Sequence, residues 1–194
     1  SLAFASDGTS NTAAFSEKIC SNAQGTAAGT VTVPCTKVKG GMTRSDTGPV
    51  IYVSGSPKPD ACLTGAYGTD RTELVSAAEI WNGQILADGR SLNCGFHTVL
   101  PPNSPSCGHG ASGGGAGGWG ISSVTSNHRG GVNLTMLDGS VHFIADGIDC
   151  GNLAGIQGGH QEGTNTSPCN SGASNYGVWG AMGTPQGGES KGIE

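Results

Sequence analysis

Glycine occupies 36 of the 194 positions, and large apolar residues are scarce: Leu, Ile, Val and Phe together make 33. A chain of this kind can bury only a thin apolar core, so its stability must draw on more than buried area. Composition does not make it disordered, because disorder couples low hydrophobicity to high net charge, and the formal charge here is −5. The expectation is a loop-rich globular domain, residues 1–194 forming one unit.

Charge and patterning exclude several classes. Nine Lys and Arg against 14 Asp and Glu leave no basic stripe for nucleic acid and no polybasic patch for an anionic membrane. No apolar run approaches the ~18–20 residues of a membrane helix, the glycines lack a three-residue period, and no heptads are sustained. The chain opens at Ser1 without a Met or a signal peptide, so a processed chain or a fragment with an upstream part missing is expected.

Seven cysteines occur without any Cys-x-x-Cys pair, which removes the spacing of zinc ribbons and thioredoxin-type sites. Disulfides are expected instead, and with them an oxidising, extracellular or cell-surface location. Closing loops of ~15–20 residues stabilises a fold by roughly 3 kcal/mol each, enough to offset a small core. Sequence neighbours suggest Cys20–Cys35, Cys94–Cys107 and Cys150–Cys169, leaving Cys62 unpaired or joined to a cysteine on another segment or chain.

Along the chain, Asp7 to Thr12 reads as a turn-and-cap cluster, and Ala13 to Ile19 as either a short helix or a strand. Val31–Val33 and Val50–Val53 are β-branched runs between Gly and Pro and read as strands. Leu74, Val75, Ala78 and Trp81 give residues 70–81 helical character after an Asp70 or Thr72 cap. Ile85-Leu86 and Phe96 to Leu100 are short strand candidates, Gly108 to Gly120 a glycine-rich loop, and Val178 to Met182 a last strand.

The clearest pattern lies between residues 132 and 143. Val132, Leu134 and Met136 alternate with Asn133, Thr135 and Leu137, Asp138-Gly139 follows, and Val141 and Phe143 resume the alternation. This is a β-hairpin with one face on the core, and Asp-Gly suits a two-residue type I′ turn. A second Asp-Gly at Asp146-Gly147 repeats the device. The fold class expected is α+β and mostly β: an antiparallel sheet, long glycine-rich loops, disulfides, and at most one or two short helices.

Motifs for chemistry are weak. Gly110-Ala111-Ser112-Gly113-Gly114 matches a nucleophile elbow without its strand and helix, and Gly115 to Gly120 matches a dinucleotide loop without its βαβ unit. The five histidines show no zinc spacing. Asp138, Asp146 and Asp149 cluster around the two turns and are the candidate oxygen ligands for calcium, against their ordinary reading as turn formers. Asn133-Leu134-Thr135 and Asn165-Thr166-Ser167 match the glycosylation pattern. No catalytic residue is assigned, and no enzyme activity is expected.

One segment carries a family resemblance. In Ser126 to Ile144, His128 is followed after nine residues by Asp138-Gly139, the His-x9-Asp-Gly signature of prepilin-type proteins. Phe96 to Cys107 resembles that family's Pro-Pro-Asn segment, Asp7 to Thr12 its Asp-Gly-Thr-Ser-Asn-Thr segment, and Val178 to Thr184 with Gly187-Gly188-Glu189 its C-terminal one. Four motifs in one order resemble the secreted pseudopilin-like family of planctomycete-type bacteria. The resemblance implies a β-rich head that normally follows an N-terminal apolar helix, a helix these residues lack. It also implies assembly with copies of itself, with other pilin-like subunits or with its own upstream segment, and it strengthens the calcium reading.

Two functions follow as expectations. The first is a structural head domain of an extracellular filament or secretion pseudopilus, acting by assembly and not by catalysis. The alternative is a calcium-assisted adhesion or glycan-binding module with Trp81, Trp119 or Trp179 as a stacking platform.

Overall fold

A computed structural model describes residues 2–20, 24–25, 31–33, 35–44, 52–53, 56–57, 59–67, 71–78, 83, 89, 91–109, 119–154 and 173–188. After a 3-10 turn at Leu2–Phe4 come strands β1 (Ala13–Ser16), β2 (Gln24–Gly25), β3 (Val31–Val33), β4 (Cys35–Lys37), β5 (Met42–Arg44), β6 (Tyr52–Val53) and β7 (Ser56–Pro57). Helix α1 (Pro59–Gly65), β8 (Glu73–Ala78), the single turn α2 (Ser91–Cys94), β9 (Ser106–His109) and β10 (Trp119–Ile121) follow. The described chain closes with β11 (Gly131–Met136), β12 (Val141–Ala145) and α3 (Gly177–Gly183). The expected class holds: mostly β, with two helices longer than one turn among the described residues.

Two three-stranded sheets organise the molecule. One is antiparallel in the order β1-β11-β12; the other is mixed in the order β10-β9-β5, with β5 parallel to β9. The thin core is split accordingly. Val124, Val132, Leu134, Met136, Ile144, Trp179 and Met182 form one buried cluster under the first sheet. Val38, Cys62, Ala66, Leu74, Leu100, Cys107 and Ile121 form the other. Trp179 is fully buried, and its indole N–H donates to the Leu100 carbonyl at 2.8 Å, which satisfies the one polar atom of that ring.

The hairpin forms where expected, but its turn is longer by one residue. Met136 N–H donates to Ser140 O at 2.9 Å and Gly139 N–H to Met136 O at 3.0 Å, so Leu137, Asp138 and Gly139 make a three-residue loop. Gly139 alone takes a positive φ, 88°, while Arg71 and Asn103 are the non-glycine residues with positive φ among those described. This is the type I turn with a G1 bulge, and not the I′ turn. The extra loop residue shifts the pairing to Thr135↔Val141 and Asn133↔Phe143, turning Val141 and Phe143 out to solvent and Ile144 in. The second Asp-Gly closes a simple turn, Ile148 N–H to Ala145 O at 3.1 Å, and starts no second hairpin.

Four other expectations are corrected. Residues 73–78 are a strand, β8, paired antiparallel with β4 through Cys35↔Ala78 and Lys37↔Glu73. Partner strand and burial of Leu74 override a weak helical pattern. Val178 to Met182 lie in α3, because Asp149 supplies acceptors for its first amides: Oδ2 for Val178 N–H at 3.4 Å and the main-chain oxygen for Trp179 N–H at 2.9 Å. Gly177 opens that helix at φ 61°, and a Cβ there would run into the Asp149 carboxylate. Phe96 to Leu100 form no strand; His97 bridges to Ser122 by a single pair of bonds instead. Gly108 and Gly120 belong to paired strands β9 and β10, and not to a loop. Ala13 to Ile19, open between helix and strand, supplies β1. Val31–Val33 is β3, and Tyr52-Val53 of the run from Val50 is β6. Ile85-Leu86, Trp81, Asn165 and the elbow-like Gly110 to Gly114 lie outside the described residues.

The cysteine pairing differs as well. Cys62 and Cys107 form a disulfide across 45 residues, with Cα atoms 6.0 Å apart, so Cys62 is not the unpaired cysteine and Cys107 does not bond its neighbour Cys94. Helix α1 and strand β9 place both residues in one apolar cluster, and proximity in space overrides proximity in sequence. Cys20 is an exposed free thiol and Cys150 a buried one, so the suggested Cys20–Cys35 and Cys150–Cys169 bonds are absent. The Cys35 side chain and Cys169 lie outside the described residues.

Candidate functional site

The two ends of the hairpin gather the sequence motifs. At its open end, Ser126 Oγ donates to Gly131 O at 2.6 Å and accepts from His128 N–H at 3.1 Å, which fixes the loop entering β11. Asn103, from the Pro-Pro-Asn segment, accepts from Ser126 N–H at 2.9 Å and donates to Asp146 at 2.7 Å. It does so from φ 61°, a left-handed conformation that Asn adopts more readily than most residues. His128 Nε2 lies 3.1 Å from Glu17 Oε1, and Asn133 Nδ2 donates to the same oxygen at 2.5 Å. His128 thus serves its own neighbourhood, more than a hairpin's length from Asp138.

At the closed end, the N-terminal motif holds the turn. Leu137 N–H donates to Thr12 O at 2.8 Å and Asp138 N–H to Thr9 O at 3.1 Å. Asp7 then reaches the C-terminal motif, taking Gly187 N–H at 2.7 Å and Gly188 N–H at 3.0 Å on its two carboxylate oxygens. Asp138 accepts from the Ser140 hydroxyl at 2.7 Å and amide at 2.9 Å, and these bonds hold its carboxyl below the ordinary carboxylate value. The His-x9-Asp-Gly segment is therefore the hairpin itself, the Pro-Pro-Asn segment holds its open end, the N-terminal motif holds its turn, and the C-terminal motif is tied to the N-terminal one through Asp7.

The three candidate calcium ligands are not brought together. Asp138 caps its own turn, Asp146 takes Asn103 at the opposite end of the hairpin, and Asp149 spends its oxygens on Gly151, Val178 and Trp179. Asp138 and Asp149 accept the amide two residues on, as a turn-forming Asp does, whereas Asp146 holds a distant Asn. No group of three or more His, Cys, Asp or Glu that could hold a metal ion occurs among the described residues.

Sequence reasoning missed a buried polar pair beneath β1. Lys18 Nζ donates to Ser122 Oγ at 2.6 Å and to Gly95 O at 2.9 Å. Burial draws its pKa down to about 8, against the opposing pull of Cys94 and Cys20. His97 Nδ1 accepts from Ser122 N–H at 3.0 Å, which fixes its tautomer, and burial with the nearby Lys18 charge lowers its pKa. His97 lines a groove of about 560 Å³ along β1, an edge strand among the described residues, with Gly180 and Thr184 of the α3 region also in its wall. The alternation Phe15 out, Ser16 in, Glu17 out, Lys18 in was the available signal, once Ala13 to Ile19 is taken as extended.

The fold and these contacts define a disulfide-containing, β-rich domain organised around one hairpin, with no helix among the described residues long and apolar enough to cross a membrane. Residues 3–151 match the SBP_bac_10 family, described as a protein of unknown function (DUF1559), and the chain belongs to that family. No curated protein and no solved structure matches it.

Proposed function

We propose that this domain is the extracellular head of a pseudopilin-like structural subunit, working in a filament or secretion pseudopilus by protein–protein assembly and not by catalysis. One observation carries the reading: the outer face of the β1-β11-β12 sheet exposes three large apolar side chains among its polar ones. Phe15 is 74% exposed, Val141 62% and Phe143 52%. The register sets Phe15, Thr135 and Val141 in one row and Phe143 beside Asn133 in the next, with the Phe143 ring over Gly131, so the three share one face of the sheet. Leu2 and Phe4, 64% and 63% exposed, lie beside Ala13 and Leu137 at the turn end of the same sheet. Covering the area still exposed would contribute about 1–2 kcal/mol per large side chain.

The order of the four prepilin-type motifs supports the same reading, since one of them is the hairpin that presents this face and two others hold its ends. β12 is the outer strand of its sheet among the described residues and offers an edge for pairing with another subunit, a copy of this chain or a related one. Electron microscopy of native, never-denatured material tests the proposal. A helically ordered polymer is the expected result; uniformly dispersed particles at physiological concentration would overturn it.

A further inference from the structure

We infer that a second site, on elements apart from the assembly face, binds a small organic oxyanion: a carboxylate or phosphate of about the size of a sugar acid. The site is a cavity of about 380 Å³ between the end of β4, the bend at Arg71-Thr72 and the loops of Asn103 and Asn127. This volume is at the lower end of the range for small-molecule pockets.

Charge is the first argument. In a chain of net charge −5, three of the nine Lys and Arg residues line this one cavity: Lys37, Lys39 and Arg71. Lys37 is met by Glu73 at 2.5 Å. Lys39 donates to a neutral carbonyl, Ser126 O, at 2.7 Å, and Arg71 lies over the Tyr67 ring at 5.1 Å. Neither Lys39 nor Arg71 has an acidic partner among the described residues, and Asp146, the acid nearest the Asn103 wall, is held by the Asn103 amide at 2.7 Å. Two positive charges therefore line the cavity with no ion-pair partner among the described residues, against the one negative charge that Asp146 sets beside its Asn103 wall. The ring contact restrains the guanidinium at the cavity wall, and a guanidinium can grasp an oxyanion in bidentate fashion.

Backbone strain is the second. Arg71 at φ 60° and Asn103 at φ 61° are the non-glycine residues with positive φ in the described chain, and both line this cavity. A left-handed Arg is a conformation that glycine would adopt at less cost, and such outliers collect where a side chain is needed in place. Asn103 is held there by its network; Arg71 sits in the bend between the bridged residues Tyr67 and Leu74, over the Tyr67 ring and at the cavity wall. Ile19 and Val38 add an apolar wall for the carbon skeleton of the ligand.

Calorimetric titration of the whole chain with glucuronate, inorganic phosphate and neutral glucose at physiological salt tests the inference. Saturable binding of glucuronate or phosphate with no response to glucose is expected, and the stronger of the two identifies the source as carboxylate or phosphate. Arg71→Gly relieves the strained φ, so it should leave the melting temperature unchanged or higher while weakening the anion about tenfold or more. Lys39→Gln should weaken it likewise, and Arg129→Gln, at an exposed position that does not line the cavity, should not. Failure of both anions to saturate, equal binding of glucose, or wild-type affinity in Arg71→Gly and Lys39→Gln would overturn the inference. None of these readouts depends on filament formation, so the two readings fail separately.

Discussion

Removing the Cys62–Cys107 bond is the perturbation whose magnitude the structure sets most directly. The bond closes 45 residues, and in the chain-entropy account a loop of that length restricts the unfolded chain enough to stabilise the fold by about 4 kcal/mol. Both cysteines are buried, at 0% and 1% exposure, in the cluster that holds Leu74, Leu100 and Ile121. With two small apolar clusters against a typical net stability of roughly 5–15 kcal/mol, a loss of that size is a large share of the total. For a chain of this length each kcal/mol moves the midpoint by about 2–4 °C, so Cys62→Ala/Cys107→Ala should melt about 8–16 °C lower. The double variant leaves no stray thiol from this pair, and urea unfolding by circular dichroism gives the free energy. A loss under about 1 kcal/mol, or a non-reducing peptide map joining Cys62 elsewhere, would refute the reasoning.

Three further outcomes are expected. Trp179→Ala empties the centre of the larger cluster and orphans the Leu100 carbonyl, so it should cost about 3–5 kcal/mol in the same unfolding assay. Burial, with Asp149 beside it, pushes the Cys150 thiol up to about 12, so in native protein at pH 8 iodoacetamide should label Cys20 and spare Cys150 until urea is added. The Lys18 ammonium gives up its proton near pH 8 when folded but near 10.5 when unfolded, so between those values the unfolded chain binds more protons. Lys18 should therefore add stability as pH rises from 8 to 10.5, a slope that a Lys18→Met comparison isolates, because the opposing contribution of Cys150 is common to both proteins.

How legible the fold was can be read from the hairpin. Period-2 alternation around Asp138-Gly139 located both strands, since alternation is local. Loop length was not legible, because Asp-Gly serves a two-residue I′ turn and a three-residue bulged turn alike, and one residue decides which face Val141 and Phe143 occupy. The apolar outer face was hidden for that reason alone. The run Val178 to Met182 is too short for periodicity to separate helix from strand, and Asp149, the residue that settles it, lies 29 positions away. Cys62 and Cys107 meet through α1 and β9 packing, which spacing does not encode. The motif residues His128, Asn103, Asp138 and Asp7 were visible, but what they hold, each other's loops and the hairpin ends, is a matter of tertiary contact.

Sedimentation velocity on the wild type beside Phe15→Asp/Phe143→Asp tests the central claim most directly, because both side chains are exposed and their replacement leaves the folded subunit's core intact. The account predicts large, concentration-dependent species for the wild type and a single folded monomer for the variant. Identical sedimentation of the two, whether both assembled or both monomeric, would contradict the assignment of this sheet face to assembly.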